Sequence, residues 1–260
     1  CPSLTLEMGN MNDPLLERTV HHLRLALQGR LHNVVNGRNK RSIGLPEAFW
    51  TTGQTLRLSF LGAPDEALKQ QIFTIASQWL DHANLSFVLT DNDQLDAEIV
   101  IRTDAEKTLN QSDYGRHRML ADGETMILGI KLTDPDFHST VLHEFGHALG
   151  LFHEHQHPDA NIPWDRAALR RHIAARFSDQ ERAWHAFDKT LERLIRQNYD
   201  PITYEPRITL RYDRRSIMHY PIRQAHTLGD CASGRNHELS AKDKQFMRMI
   251  YPGKGSPDLT

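Results

Sequence analysis

The segment Val141–His157, reading VLHEFGHALGLFHEHQH, constrains this chain more than any other. It sets His143, Glu144, His147, Gly150 and His153 in the order H-E-x-x-H-x-x-G-x-x-H. His143 and His147 are four residues apart, so on an α-helix their imidazoles share one face, a turn apart, and can grip the same ion. Glu144 points about 100° round the helix from His143. That places it beside the ion and outside its ligand shell, where a general base must stand to take a proton from a metal-bound water. Gly150 suits the left-handed residue that ends a helix, after which the turning chain can bring His153 to the ion from outside. Three neutral histidines with one open position describe a catalytic zinc site, whereas a structural site is closed by four protein ligands. The competing reading is a histidine-rich amphipathic helix without metal. Five specified residues on a helix that stops at the specified glycine make that the rarer coincidence.

The rest of the composition excludes more than it selects. With 260 residues, 39% of them hydrophobic, the chain can bury a proper core in one large domain or two small ones. It carries 31 basic and 33 acidic residues, which gives no electrostatic reason to expect nucleic acid as a partner. No apolar run approaches the roughly eighteen residues of a membrane span, and a monomer is expected. Cys1 and Cys231 are the only cysteines, too few to make a chain of this length disulfide-dependent. An opening cysteine fits a removed export signal, a lipidated terminus or a trimmed chain, so a secreted or cell-envelope location is expected. A Cys1–Cys231 disulfide, a Cys1 thiolate on the metal, and two free thiols all stay open.

Along the chain, residues 1–45 form an extension. Asp13-Pro14 starts a helix whose Leu15, Leu16, Val20, Leu23 and Leu27 recur at helical spacing before Gly29. Residues 32–42 are polar, with Arg38, Lys40 and Arg41 in an exposed loop or a processing site. Thr55–Leu61 alternates as a strand, a helix runs from Gly62–Asp65 to about Ala83, and Leu85–Thr90 and Ala97–Arg102 are further strands. That order predicts an α/β sandwich on a mixed sheet. Lys107–Gly123 lacks a period and is expected to be loop. Thr125–Ile130 is a short apolar strand, either core or an edge to which an extended peptide could add. Ser139 is the expected N-cap of a helix over Thr140–Leu149. Trp164–Phe177 is one helix, and the capping box Ser178/Glu181 opens another to about Gln197. Asp200–Arg215 is loop, Ser240/Asp243 starts a helix ending at Tyr251-Pro252, and 253–260 is a tail.

A second motif sharpens the first. Ser216-Ile217-Met218-His219-Tyr220 follows HEFGHALGLFHEH, and together with Leu239-Ser240-x-x-Asp243 and Tyr251 this pattern resembles the astacin family of zinc endopeptidases, a branch of the metzincins, in a bacterial form. The resemblance covers residues 46–252. It implies an α+β, zincin-like catalytic domain: a mixed twisted sheet, a long zinc-binding active-site helix and a mainly helical C-terminal half. It further implies one zinc held by His143, His147 and His153. Glu144 would act as base and then acid, Met218 as an apolar floor, and Tyr220 as a phenol that hydrogen-bonds the oxyanion. Glu154 stands where astacins bind the amine of the matured N-terminus. His219 is not expected to be a ligand, and His155 and His157 are expected at the surface near the site. The chain departs from the family in having too few cysteines for the two disulfides of animal astacins. It also has Gln156-His157-Pro158-Asp159-Ala160 in place of an arginine-rich run, and no F-x-G-D latency motif in residues 1–45.

The expected function is therefore zinc-dependent hydrolysis of protein or peptide bonds through a zinc-activated water. Two other readings stand beside it. In one, residues 1–45 are an inhibitory pro-segment and the chain is a latent zymogen. In the other, the domain is a non-catalytic zinc-stabilised binding module, which would need neither Glu144 nor Tyr220.

Overall fold

The structure is a computed structural model describing residues 13–28, 46–105, 109–118, 120, 123–202 and 210–253. Five strands form one sheet in the order β2-β1-β3-β5-β4. Strand β1, Thr55–Phe60, buries Leu56, Leu58 and Phe60 on one face. It pairs in parallel with β2, Ser86–Leu89, and with β3, Ile99–Arg102. Ile99, Val100 and Ile101 are buried in succession, as expected of a strand covered on both faces.

Strand β5, Met126–Leu128, runs parallel to β3, and β4, Asn110–Ser112, pairs antiparallel to β5 in the register Asn110↔Leu128. The sheet is thus mixed, as expected, and of the two readings open for Thr125–Ile130 the core strand is the one found. Met126 and Ile127 are core residues of an interior strand, and the edge belongs to β4, inside the stretch read as loop. Asn110-Gln111-Ser112 carries no apolar alternation, so only the pairing with β5 reveals it as a strand.

Helix α2, Glu66–Ala76, is capped by Asp65, whose carboxylate accepts from Ala67 N at 2.7 Å. It gives way to a 3-10 turn over Ser77–Trp79, earlier than the expected end at Ala83. Trp79, fully buried, donates its indole N–H to Leu142 O at 3.0 Å and so ties that turn to the central helix. Helix α3, Phe137–Ala148, starts at Asp136 and not at Ser139. The Ser139 hydroxyl instead donates to Asp136 O at 3.0 Å, inside the first turn. Beyond its end, Gly150 has φ +96°, and a Cβ there would come within 2.7 Å of the Phe49 ring. Glycine is therefore required twice over, by backbone conformation and by space.

The C-terminal half is helical. Helix α4, Arg166–Ala174, is shorter than the predicted Trp164–Phe177, because Asp165 caps it by accepting from Ala168 N. The Ser178/Glu181 capping box is present, but its helix α5 spans only Asp179–Arg182. The chain then turns, with Phe187 N donating to Trp184 O, and a separate helix α6 runs from Phe187 to Tyr199. Helix α7, Ala241–Ile250, has the Ser240/Asp243 box and ends at Tyr251 as read.

Two apolar cores result. One joins the sheet, α2, α3 and α7 and includes Met218; the other joins α4, α6 and the N-terminal helix and includes Tyr220. That N-terminal helix, α1, Pro14–Leu27, has Asp13 as its cap and proline in its first turn. Its Leu15, Leu16, Val20 and Leu23 pack with Leu169, Ile173, Leu191, Leu194 and Ile195. Each such side chain contributes roughly 1.5–3 kcal/mol on burial, so α1 is docked firmly on the C-terminal half. Gly29, the basic cluster at 38–41, Cys1 and the tail beyond Gly253 lie outside the described residues, and Cys231 is a free thiol. Among the described residues no helix is long and apolar enough to cross a membrane.

Gly146, in the last turn of α3, has its own packing reason. A Cβ there would overlap Met218 Sδ and lie 3.2 Å from the Trp79 ring, both side chains being buried. In an open helix Gly→Ala stabilises by about 1 kcal/mol. Here Gly146→Ala should destabilise by about 1–3 kcal/mol as an overpacked core does, lowering the urea midpoint at unchanged slope. A raised midpoint would show that Met218 does not press on the helix.

Candidate active site

Helix α3 is buried along nearly its whole length, so its polar side chains must find partners inside the protein. His143 Nδ1 meets Ile217 O at 2.8 Å and His147 Nδ1 meets Leu151 O at 2.7 Å. These bonds hold the N–H on Nδ1 and leave each Nε2 as a bare lone pair facing inward. His153, brought round by the turn at Gly150, places its Nε2 3.0 Å from His147 Nε2. One nitrogen from each of His143, His147 and His153 lies within 4.8 Å of the others.

His143 Nε2 is buried and has no hydrogen-bond partner. Burial pushes the His143 imidazolium down to about 3, and burial, followed by the neighbouring histidines, pushes His147 and His153 well below their ordinary value. All three rings are therefore neutral, the form that ligates metal. Convergent neutral imidazoles with an orphaned buried lone pair fit a borderline-soft divalent ion such as zinc.

Glu144 stands beside this group. It is buried, and its Oε2 has no hydrogen-bond partner. Burial raises its carboxyl to about 8, opposed by the positive charges of Arg18 and Arg235. The Tyr220 ring lies 5.0 Å from that of His143 and 4.5 Å from that of His153. Burial raises the phenol above its usual range, while the positive charge of Arg18 works the other way.

Met218 sits against the α3 backbone at Gly146. Its own segment is fixed by Asp243, which accepts from the Ser216 hydroxyl at 2.6 Å and from Ile217 N at 2.9 Å while also capping α7. The capping residue thus anchors the loop that floors the site, and its position in a plain S-x-x-D box gave no hint of it.

Glu154 lies apart from the three nitrogens. It is buried, accepts from Asp213 N at 2.6 Å, and is raised to about 8 by burial. The expectation for His155 and His157 is corrected, since both are buried. His155 donates to Asn198 O at 2.7 Å and His157 to Leu210 O at 2.8 Å, so they brace the chain after the motif against α6 and the following loop. His219 accepts from the Tyr212 hydroxyl at 2.8 Å and donates to Tyr220 O, outside the three-nitrogen group.

Two side chains at the centre escaped the sequence. Tyr114 stacks on Phe152 at 4.2 Å and meets the edge of His147 at 4.9 Å. Arg18, from α1, is close enough for its charge to act on Tyr114, Tyr220 and Glu144. Tyr114 lies in a stretch without period, and Arg18 is on the polar side of an amphipathic helix, which reads as a solvated face.

Comparison with known proteins places this geometry in a lineage. Residues 44–251 match the model of the peptidase family described as Astacin. Two solved structures of myroilysin resemble the chain at 27% and 28% identity, with TM-scores of 0.64 and 0.55; the alignments cover 82% and 85% of this chain and 99% and 95% of theirs. High choriolytic enzyme 1, a hatching enzyme zinc-protease from the medaka fish Oryzias latipes, shares the fold at 16% identity and TM-score 0.54, over 82% of this chain and 98% of its own. No protein of curated function matches significantly. With four-fifths of its length inside the family match and an α+β sheet-and-helix core of the metzincin kind, this chain belongs to the astacin family and is a zinc metalloendopeptidase.

Proposed function

We propose that the chain cleaves internal peptide bonds with His143, His147 and His153 holding one zinc, Glu144 moving the proton and Tyr220 stabilising the oxyanion. The observation that carries this reading is a pair of orphans: His143 Nε2 and Glu144 Oε2, both buried and without hydrogen-bond partners. Buried polar atoms without partners are rare, and these two are side by side in sequence on one helix. When bound, zinc supplies Lewis acidity to a carbonyl and lowers the pKa of water.

The protein's own residues do the rest. Glu144 takes the proton of the attacking water on its free Oε2 and returns it to the leaving amine. Its elevated pKa suits it to both steps near neutrality. Tyr220, neutral because burial disfavours the phenolate, donates its O–H to the oxygen on which negative charge develops. The His143 and His147 rings are held by backbone carbonyls, so no reorganisation is needed at the moment of reaction. Edge strand β4 offers the backbone along which an extended substrate would pair. A non-catalytic binding module would have no use for an unpaired carboxylate and a phenol beside the three histidines. A monomer acting in the envelope or the medium completes the reading.

Glu144→Ala should retain one zinc per chain in metal analysis yet lose casein hydrolysis, assayed before and after limited proteolysis; wild-type hydrolysis by that variant would remove the proposed base. Tyr220→Phe should lower kcat by about 10²–10³ with KM little changed, as when an interaction exists only in the transition state. An unaltered kcat would exclude the oxyanion role. Chelation should abolish hydrolysis and zinc should restore it, whereas chelator-resistant activity would contradict metal dependence.

A further inference from the structure

The end of α3 makes demands of its own, besides those of the three histidines. A helix leaves its last carbonyls without partners inside the helix, and buried ones must be served from elsewhere. Phe145 O accepts from Leu149 N at 2.9 Å, Gly146 O from Leu151 N at 2.9 Å, and His147 O from Gly150 N at 2.7 Å and Gly115 N at 2.9 Å. The next carbonyls are served by side chains from distant parts of the chain. Ala148 O accepts from the Trp50 indole N–H at 2.8 Å, and Leu149 O accepts from the Tyr251 hydroxyl at 2.9 Å.

These donors are joined to each other and fixed independently of α3. The Tyr251 hydroxyl accepts from Trp50 N at 3.2 Å. Tyr251 N donates to Met247 O in α7, and Tyr251 O accepts from Asn84 N, both at 2.9 Å. The Phe49 ring lies edge-on to the buried Tyr251 ring, with centroids 6.1 Å apart, and also closes on Gly150. What this clasp grips is the start of the turn that sets two of the three histidines. Leu151 O holds His147 Nδ1 at 2.7 Å, and Gly150, at φ +96°, reverses the chain toward His153. His143 is held elsewhere, by Ile217 O. A shift at the helix end would therefore move His147 and His153 against His143, not all three together.

We propose that Trp50 and Tyr251 are positioning residues of the metal centre: their N–H and O–H on Ala148 O and Leu149 O set the turn that aligns His147 and His153 with His143. The proposal rests on the assignment of those three histidines as zinc ligands above. Both residues act through the backbone and neither is a ligand. Partners that orient a metal's ligands typically change its affinity by about 10–100-fold when lost.

The test uses the full chain and three variants. Tyr251→Phe deletes one oxygen and keeps the ring. Trp50→Phe deletes the indole N–H and keeps an aromatic side chain. Asn84→Ala removes the amide N–H that Pro252 O accepts at 3.0 Å, and so loosens the same corner without touching a carbonyl of α3. Zinc affinity is measured by competition with a chelator, and amide hydrogen exchange is followed in metal-free protein. Tyr251→Phe and Trp50→Phe should each bind zinc about tenfold more weakly. The amides of Leu149, Gly150 and Leu151 should exchange faster in both, while those of Ser216, Ile217 and Met218 exchange as in wild type. Asn84→Ala should keep the wild-type zinc affinity, whatever its melting temperature. Unchanged affinity in Tyr251→Phe, or an equal loss in Asn84→Ala, would overturn the clasp. Should Tyr251→Phe fail to fold, Trp50→Phe decides by the same readings. A wild-type chain that bound no zinc would sink the histidine assignment instead. The metal-free exchange comparison would then decide the clasp, with unchanged exchange at Leu149, Gly150 and Leu151 counting against it.

Discussion

Three buried imidazole lone pairs aimed at one point, two from α3 and one from the turn beyond it, are the constraint from which the rest of this structure follows. Bringing them together costs the hydration of every ring. The protein offsets half of that cost with backbone carbonyls, Ile217 O for His143 and Leu151 O for His147. The inward-facing half is left uncompensated at His143 Nε2. Both carbonyls belong to segments with no regular structure of their own, so each must be fixed by something else. The Ile217 segment is held by Asp243 of α7, and Leu151 N donates back to Gly146 O at the end of α3. A deficit at one nitrogen is thus distributed over a helix end, a loop and a capping box nearly a hundred residues further on.

What the sequence could reveal divides along the same physical line. Local rules worked where the energetics are local. Asp13-Pro14, the Ser178/Glu181 box and the Ser240/Asp243 box all open helices, because a cap is satisfied within four residues of itself. Gly150 ends the metal-site helix because its left-handed conformation is a property of one residue. Local rules failed where tertiary contacts decide. Strand β4 is polar and exists because β5 pairs with it. The helix expected from Ser178 to Gln197 breaks after Arg182, whose side chain turns back to the Ala174 and Phe177 carbonyls. His155 and His157, polar and next to a functional motif, looked like surface residues and are buried, each satisfied by a distant backbone carbonyl.

The candidate site shows the same split. The three histidines and Glu144 were legible from the spacing of one helix and the turn after it, and Met218 and Tyr220 only from the resemblance of their segment; the three histidine nitrogens converge, the Tyr220 ring lies beside them and Met218 lies against Gly146. Arg18 and Tyr114 were not, although both touch that centre. Their placement depends on how α1 and the β3–β5 connection fold back over α3, and a residue's own neighbours carry no record of that. A buried cation is the signal that exposes such a residue, and it exists only once the chain is folded.

The division into two apolar cores gives this arrangement its mechanical sense. Met218 belongs to the core of the sheet and α3; Tyr220, two residues later, belongs to the core shared by α1, α4 and α6. The His143, His147 and Met218 side chains are therefore set by the rigid sheet-and-helix half. The phenol is set by the half on which α1 is docked, and the charge of Arg18 acts on that phenol. Loss of α1 would remove Leu15, Leu16, Val20 and Leu23 from the second core and leave the first intact. The packing cost of undocking thus falls on the half that carries Tyr220, while His143 and His147 keep their carbonyl partners. Met218 and Tyr220 lie in different cores, so the packing behind the three histidines and the packing behind the phenol are set by different parts of the fold.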